Sequence, residues 1–158
     1  MRKGVNSVLS TLAGMLVGGA VIGKISKKRI NEKQEINDKI VLYYRIFNQW
    51  ISIYQEGKSL KNFFKNNNYK SIAIYGMKEL GERLYDELRD SDIIVKYIID
   101  KNAGEIYADI DVVTPEDNLE PVDVIVVTAT FYYDEIKNML REKVDYPVVS
   151  LEDILYEI

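Results

Sequence analysis

Gly76, Lys78 and Gly81 sit in the stretch SIAIYGMKELG, residues 71 to 81, where an apolar run enters a glycine turn and then a helical pattern. The chemistry of that arrangement is phosphate binding. Glycines let the backbone turn tightly, and the amides at the start of the helix attract an anion. The dinucleotide fingerprint places glycine at three positions, G-x-G-x-x-G, with an acidic residue roughly 20 positions on. Here Gly76 makes the tight turn and Gly81 lets the helix sit close to the strand, while Lys78 replaces the glycine at which pyrophosphate meets the backbone. Met77 supplies the intervening amide. Asp100, 24 residues after Gly76, ends a later apolar run, where its carboxylate can accept hydrogen bonds from ribose hydroxyls. The Lys78 ammonium either adds a phosphate contact or fills the space that a phosphate needs.

Other chemistries are excluded by composition. With no cysteine and no histidine among the 158 residues, zinc sets, Ser-His-Asp and Cys-His systems and disulfides are absent. Catalysis would have to run through carboxylates, lysines or the 12 tyrosines. Tyr133-x-x-x-Lys137 matches the spacing of the tyrosine and lysine pair of short-chain dehydrogenases. It lies only 57 residues after Gly76, and in a chain this rich in both residue types such a match arises by chance, so no catalytic residue is assigned and no metal is expected.

Positioning these residues requires a parallel sheet. Apolar runs at 71 to 75, 93 to 99 and 122 to 127 alternate with helical patterns, as in βαβ units. Residues 110 to 113 and 148 to 149 add two short strands, and helices are expected at 77 to 89, at 133 to 143 and from Ser150 to the end. Right-handed crossovers then give an α/β half Rossmann fold over residues 70 to 158, a five-stranded parallel sheet of order 3-2-1-4-5. The order reverses between strands 1 and 4, so the Gly76 turn faces Thr128 and Thr130, which complete the candidate binding set.

This stretch of chain resembles a known family. SIAIYGMKELGERLYDEL, YIIDKN, DVVTPED and VDVIVVTAT are similar to the small Rossmann-like N-terminal domains of membrane-bound nucleotide-sugar dehydratases, and of sugar acetyltransferases, in bacterial polysaccharide biosynthesis. The resemblance covers roughly residues 70 to 155. It implies a nucleotide or UDP-sugar contact at Gly76, Gly81 and Asp100, and a setting in cell-surface polysaccharide assembly. Lys78 departs from the family's turn.

Ahead of this domain the chain changes character. Residues 1 to 70 carry 13 Lys and Arg against 4 Asp and Glu, and residues 71 to 158 carry 8 against 21, so the halves are +9 and -13. A domain that acidic is no partner for nucleic acid. Residues 4 to 23 contain no charge and are flanked by Arg2 and Lys3 before and by Lys24, Lys27, Lys28 and Arg29 after. Twenty residues at 1.5 Å each span a hydrocarbon core of about 30 Å. Residues 1 to 28 therefore read as a single-pass anchor in the cell membrane, with a cleaved signal, or a surface-lying or glycine-rich soluble helix, as the competing readings. The heavier downstream basic flank places the C-terminal domain in the cytoplasm. Gly14, Gly18, Gly19 and Gly23 give two small-x-x-x-small spacings that allow close helix approach.

Residues 29 to 69 form a helical neck, with a long helix at 30 to 56 and a short one at 59 to 66. Ile36, Ile40, Tyr43, Phe47, Trp50 and Tyr54 are spaced 4, 3, 4, 3, 4 and make a short heptad seam. The seam either packs on its own domain or joins a second copy. Three functions follow as expectations: an accessory module that binds NAD or a nucleotide-sugar and partners a polysaccharide-synthesis enzyme, a ligand-free oligomerising scaffold, or the subunit of an NAD-dependent oxidoreductase.

Overall fold

The computed structural model describes the backbone of residues 2 to 158 and the side chains from residue 27 onward. Backbone contacts divide the chain into Met1–Tyr43 and Tyr44–Ile158, and the boundary falls inside helix α1 (Arg2–Gln55). The expected membrane span at 4 to 23 lies outside the residues whose side chains are described. Among the described residues, no helix is long and apolar enough to cross a membrane. In the first unit Ile30, Ile36 and Ile40 are exposed, and Lys39 pairs with Glu35 at 2.6 Å one turn away.

The second unit is an α/β fold. Strands β1 (Ser71–Tyr75), β2 (Ile94–Ile99), β3 (Val112–Val113), β4 (Val124–Val127) and β5 (Val148–Ser150) form one parallel sheet of order β3-β2-β1-β4-β5, the expected order. Side chains alternate along each strand, so two apolar layers arise from the same runs. Ala73, Tyr75, Ile99, Ile125 and Val127 share one core cluster with Ile136 and Leu140 of helix α4 (Tyr133–Arg141). The intervening Ile72, Ile74, Ile98, Val124 and Val126 are fully buried by their opposite faces.

Helix α2 (Leu60–Asn66), helix α3 (Glu79–Leu88), helix α5 (Leu151–Glu157) and the end of α1 are tied to one another by polar contacts. The Trp50 indole N–H donates to one Glu87 carboxylate oxygen at 2.8 Å, and the Leu60 amide donates to the other at 2.8 Å. Gln49 donates to the Leu155 carbonyl at 3.1 Å. Local signals set the ends. Gly57, at φ 72, closes α1 with its amide on the Tyr54 carbonyl and the Lys58 amide on the Ile53 carbonyl, the paired bonds of a Schellman stop. Ser59 and Ser150 cap α2 and α5 through their hydroxyls. Residues 114 to 117 form a turn, in which the Asp117 carboxylate takes both the Thr114 amide and its hydroxyl.

Asp123 anchors the entry to β1 from β4. Its Oδ2 accepts from the Lys70 and Ser71 amides at 2.8 and 2.7 Å, which holds the carboxyl below the ordinary aspartate value of 3.8. A depressed carboxyl binds fewer protons folded than unfolded, so its contribution is present above the unfolded value and is lost as pH falls through the folded one. Unfolding midpoints measured from pH 6 down to pH 2 should therefore fall below about pH 4. Asp123→Asn should flatten that acid limb and lower the neutral plateau, and an unchanged limb would show that Asp123 carries none of the dependence.

Candidate functional site

The Gly76 turn is built by two residues, Gly81 and Thr128, closing on the Gly76 carbonyl. Gly76 has φ 96, a conformation that side chains rarely adopt, and its amide donates to the Ile99 carbonyl at 2.8 Å. Its own carbonyl oxygen points into α3. A Cβ at Gly81 would stand 2.0 Å from that oxygen, so only glycine lets the helix approach the turn this closely. From the β4 side, Thr128 is buried, and its Oγ1 lies 2.7 Å from the Gly76 carbonyl and 3.0 Å from the Tyr75 carbonyl. One hydroxyl has one proton to donate, so Thr128 is committed to fixing the turn.

Asp100 closes the turn from the β2 side. Its Oδ2 accepts from the Met77 amide at 3.0 Å, and its Oδ1 accepts from the Asn102 amide at 2.9 Å. The Met77 amide, just before the position where a full fingerprint meets its phosphate, is thus occupied by the chain's own anion. A carboxylate oxygen has about two acceptor positions. Each Asp100 oxygen therefore retains one, oriented by the two amides, for a diol. Lys78 is the cap residue of α3 at φ -90, a value open to any residue, which is why the turn forms without a second glycine. Its side chain is exposed and makes no ion pair among the described residues.

The structure thus brings Gly76, Met77, Gly81, Asp100 and Thr128 together, with Lys78 at the rim. Thr130 stands apart from that knot. It opens a short 3-10 turn (Thr130–Tyr132) leading into α4 and is 7 % exposed, and its Oγ1 has no hydrogen-bond partner among the described residues. Tyr75, the last residue of β1, was not singled out by sequence. It is 4 % exposed and its hydroxyl is likewise unpartnered. Burial, reinforced by the negative charges of Asp100, Glu116 and Glu135, pushes that hydroxyl up to about 12, so it remains a donor at any physiological pH. Its position at the carboxyl end of a central strand was the available signal.

Tyr133 and Lys137 do meet, with the ammonium donating to the hydroxyl at 2.8 Å. The Tyr133 hydroxyl in turn donates to the Val148 carbonyl at 3.0 Å, so the pair ties α4 to β5. Among the described residues no group of three or more acidic side chains is arranged to hold a metal ion. No family model, no curated protein and no solved structure matches the chain.

Proposed function

We propose that the Tyr44–Ile158 unit is an accessory module that binds a nucleotide or nucleotide-sugar, held at a membrane through residues 4 to 23 and serving cell-surface polysaccharide synthesis beside a partner enzyme. The observation that carries the reading is Asp100. Its carboxylate is oriented by two amides beside a glycine turn, at the point where strand order reverses and open α/β sheets bind their ligands. Ribose hydroxyls meet Asp100, and the phosphates meet Lys78 at the exposed start of α3. The membrane and polysaccharide setting rests on the uncharged, basically flanked segment and on the family resemblance of residues 70 to 155.

Thermal unfolding of the full-length chain with millimolar NAD, UDP and UDP-glucose tests this. A ligand at 100 times its Kd stabilises by about 2.7 kcal/mol. Lys78→Gly should weaken binding about tenfold, the loss of one charge-assisted phosphate contact. Tighter binding would instead mean that the side chain obstructs the turn. No shift with any of the three ligands would overturn the reading and favour the self-associating scaffold. That second reading is supported by an apolar cavity of about 280 Å³ lined by Phe47, Trp50, Ile51, Tyr54 and Arg83.

A further inference from the structure

Within the Tyr44–Ile158 unit, helix α1 carries two apolar faces, and its own domain covers one of them. On that face Ile46 and Ile53 are buried, Gln49 donates to the Leu155 carbonyl and the Trp50 indole donates to Glu87. The other face stays open. Tyr44, Ile51 and Tyr54 are 70, 57 and 80 % exposed, and Phe47 is half-buried beside them. These four are spaced 3, 4, 3, and the sequence continues the alternation upstream at Ile40 and Asn37. The result is a heptad frame with Asn37, Tyr44 and Ile51 at a and Ile40, Phe47 and Tyr54 at d. The seam expected from sequence mixes the two faces, since Trp50 belongs to the one that the domain covers.

The cavity of about 280 Å³ on the open face is walled by Phe47, Trp50, Ile51 and Tyr54, with Arg83 of α3. Those four helix residues are successive d, g, a and d positions. They are the set that forms the hole for an a-position knob from a parallel partner helix. Charge favours a partner identical to this helix. From residue 36 to residue 55 every a, d, e and g position is uncharged, and the charged residues of that span, Asp38, Lys39 and Arg45, fall at b and c. Two copies therefore meet without like-charge repulsion across the seam. The partner's Ile51 is then the knob, and Asn37 faces Asn37, a polar a layer of the kind that fixes register. Aromatic side chains cover about 150–250 Å² each, so the exposed part of the stripe from Ile40 to Tyr54 amounts to roughly 500 Å² per copy and about 1,000 Å² for a pair, the lower limit for a specific interface.

We infer that this face of α1 binds a second copy of the chain as a short, parallel, in-register two-helix coiled coil, with Tyr44, Phe47, Ile51 and Tyr54 buried between the copies. The inference deepens the self-association reading and is independent of nucleotide binding. Sedimentation velocity on the full-length chain in neutral detergent should show a dimer at micromolar concentration. Tyr44→Glu with Ile51→Glu should weaken it about tenfold or more, because paired carboxylates then meet at two a layers. Both positions are exposed, so the variant and the wild type diluted to monomer should unfold within about 2 °C of each other, with equal nucleotide-induced shifts. Tyr54→Glu, at the most exposed position of the stripe, gives a second reading should the double variant unfold. The chain has no cysteine, so one introduced thiol reports register. Asn37→Cys should form a disulfide-linked dimer on mild oxidation, since facing a positions bring Cα atoms within about 6 Å, and Arg45→Cys at b should not. A monomeric wild type overturns the inference, and so does a dimer that survives the glutamates, as association through residues 4 to 23 would. Linkage through Arg45→Cys as ready as through Asn37→Cys overturns the parallel register.

Discussion

Gly81→Ala should cost about 3 kcal/mol or more and lower the unfolding midpoint by about 10 °C or more, because the new methyl has nowhere to go. Its Cβ would lie 2.0 Å from the Gly76 carbonyl oxygen and 3.0 Å from the carbonyl carbon. Both atoms are backbone. No rotamer change relieves the clash, so α3 must lift from the turn or the turn must open. Either movement breaks the burial of Leu80 and Leu84 against the sheet and pulls the Gly76 carbonyl away from Thr128. Gly104→Ala is the matched control. An added Cβ there meets nothing within 4 Å, and the midpoint should move by less than about 2 °C. Equal midpoints for the two variants would mean that α3 does not pack on the turn as described.

Asp100→Ala should destabilise the chain by about 1–3 kcal/mol and abolish any nucleotide-induced shift together. The stability loss comes from the Met77 amide, half-buried and left without its acceptor, more than from the exposed Asn102 amide, which water can satisfy. The ligand loss comes from the two remaining acceptor positions. Asp100→Asn separates these effects, since it keeps the shape and one acceptor while turning an N–H₂ toward a backbone donor. It should recover part of the midpoint and none of the ligand response. A variant that retains the response at wild-type affinity would place the ribose elsewhere.

The sheet was legible because its signals are local. The continuous VIVV run suits a strand covered on both faces, and the alternation of such runs with helical stripes is the pattern of parallel pairing. Gly57, Ser59 and Ser150 announce their caps in the same way. The candidate site was legible in its residue types but not in their commitments. Sequence marks Thr128 and Asp100 as polar groups at strand ends, and it is silent on partners that come from other strands. Thr128 proves to serve the turn itself, across 52 residues of chain, and Asp100 to occupy the Met77 amide across 23. Tyr75 escaped notice because an aromatic in an apolar run reads as core. Only the absence of a partner for its hydroxyl distinguishes it from one.

Glu87 has a practical consequence for where the chain can be cut. One carboxylate receives the Trp50 indole and the first amide of α2, so α1, α2 and α3 share a single anchor. Ile46 and Ile53 of α1 and Leu60, Phe63 and Phe64 of α2 are buried as well. A fragment trimmed to the sheet, starting near residue 70, would strip five apolar side chains from the helical face and leave Glu87 without either donor. The shortest portable version of this domain therefore starts at or before Tyr44, part-way along a helix, and a fusion joined there inherits a helical lever instead of a flexible tether.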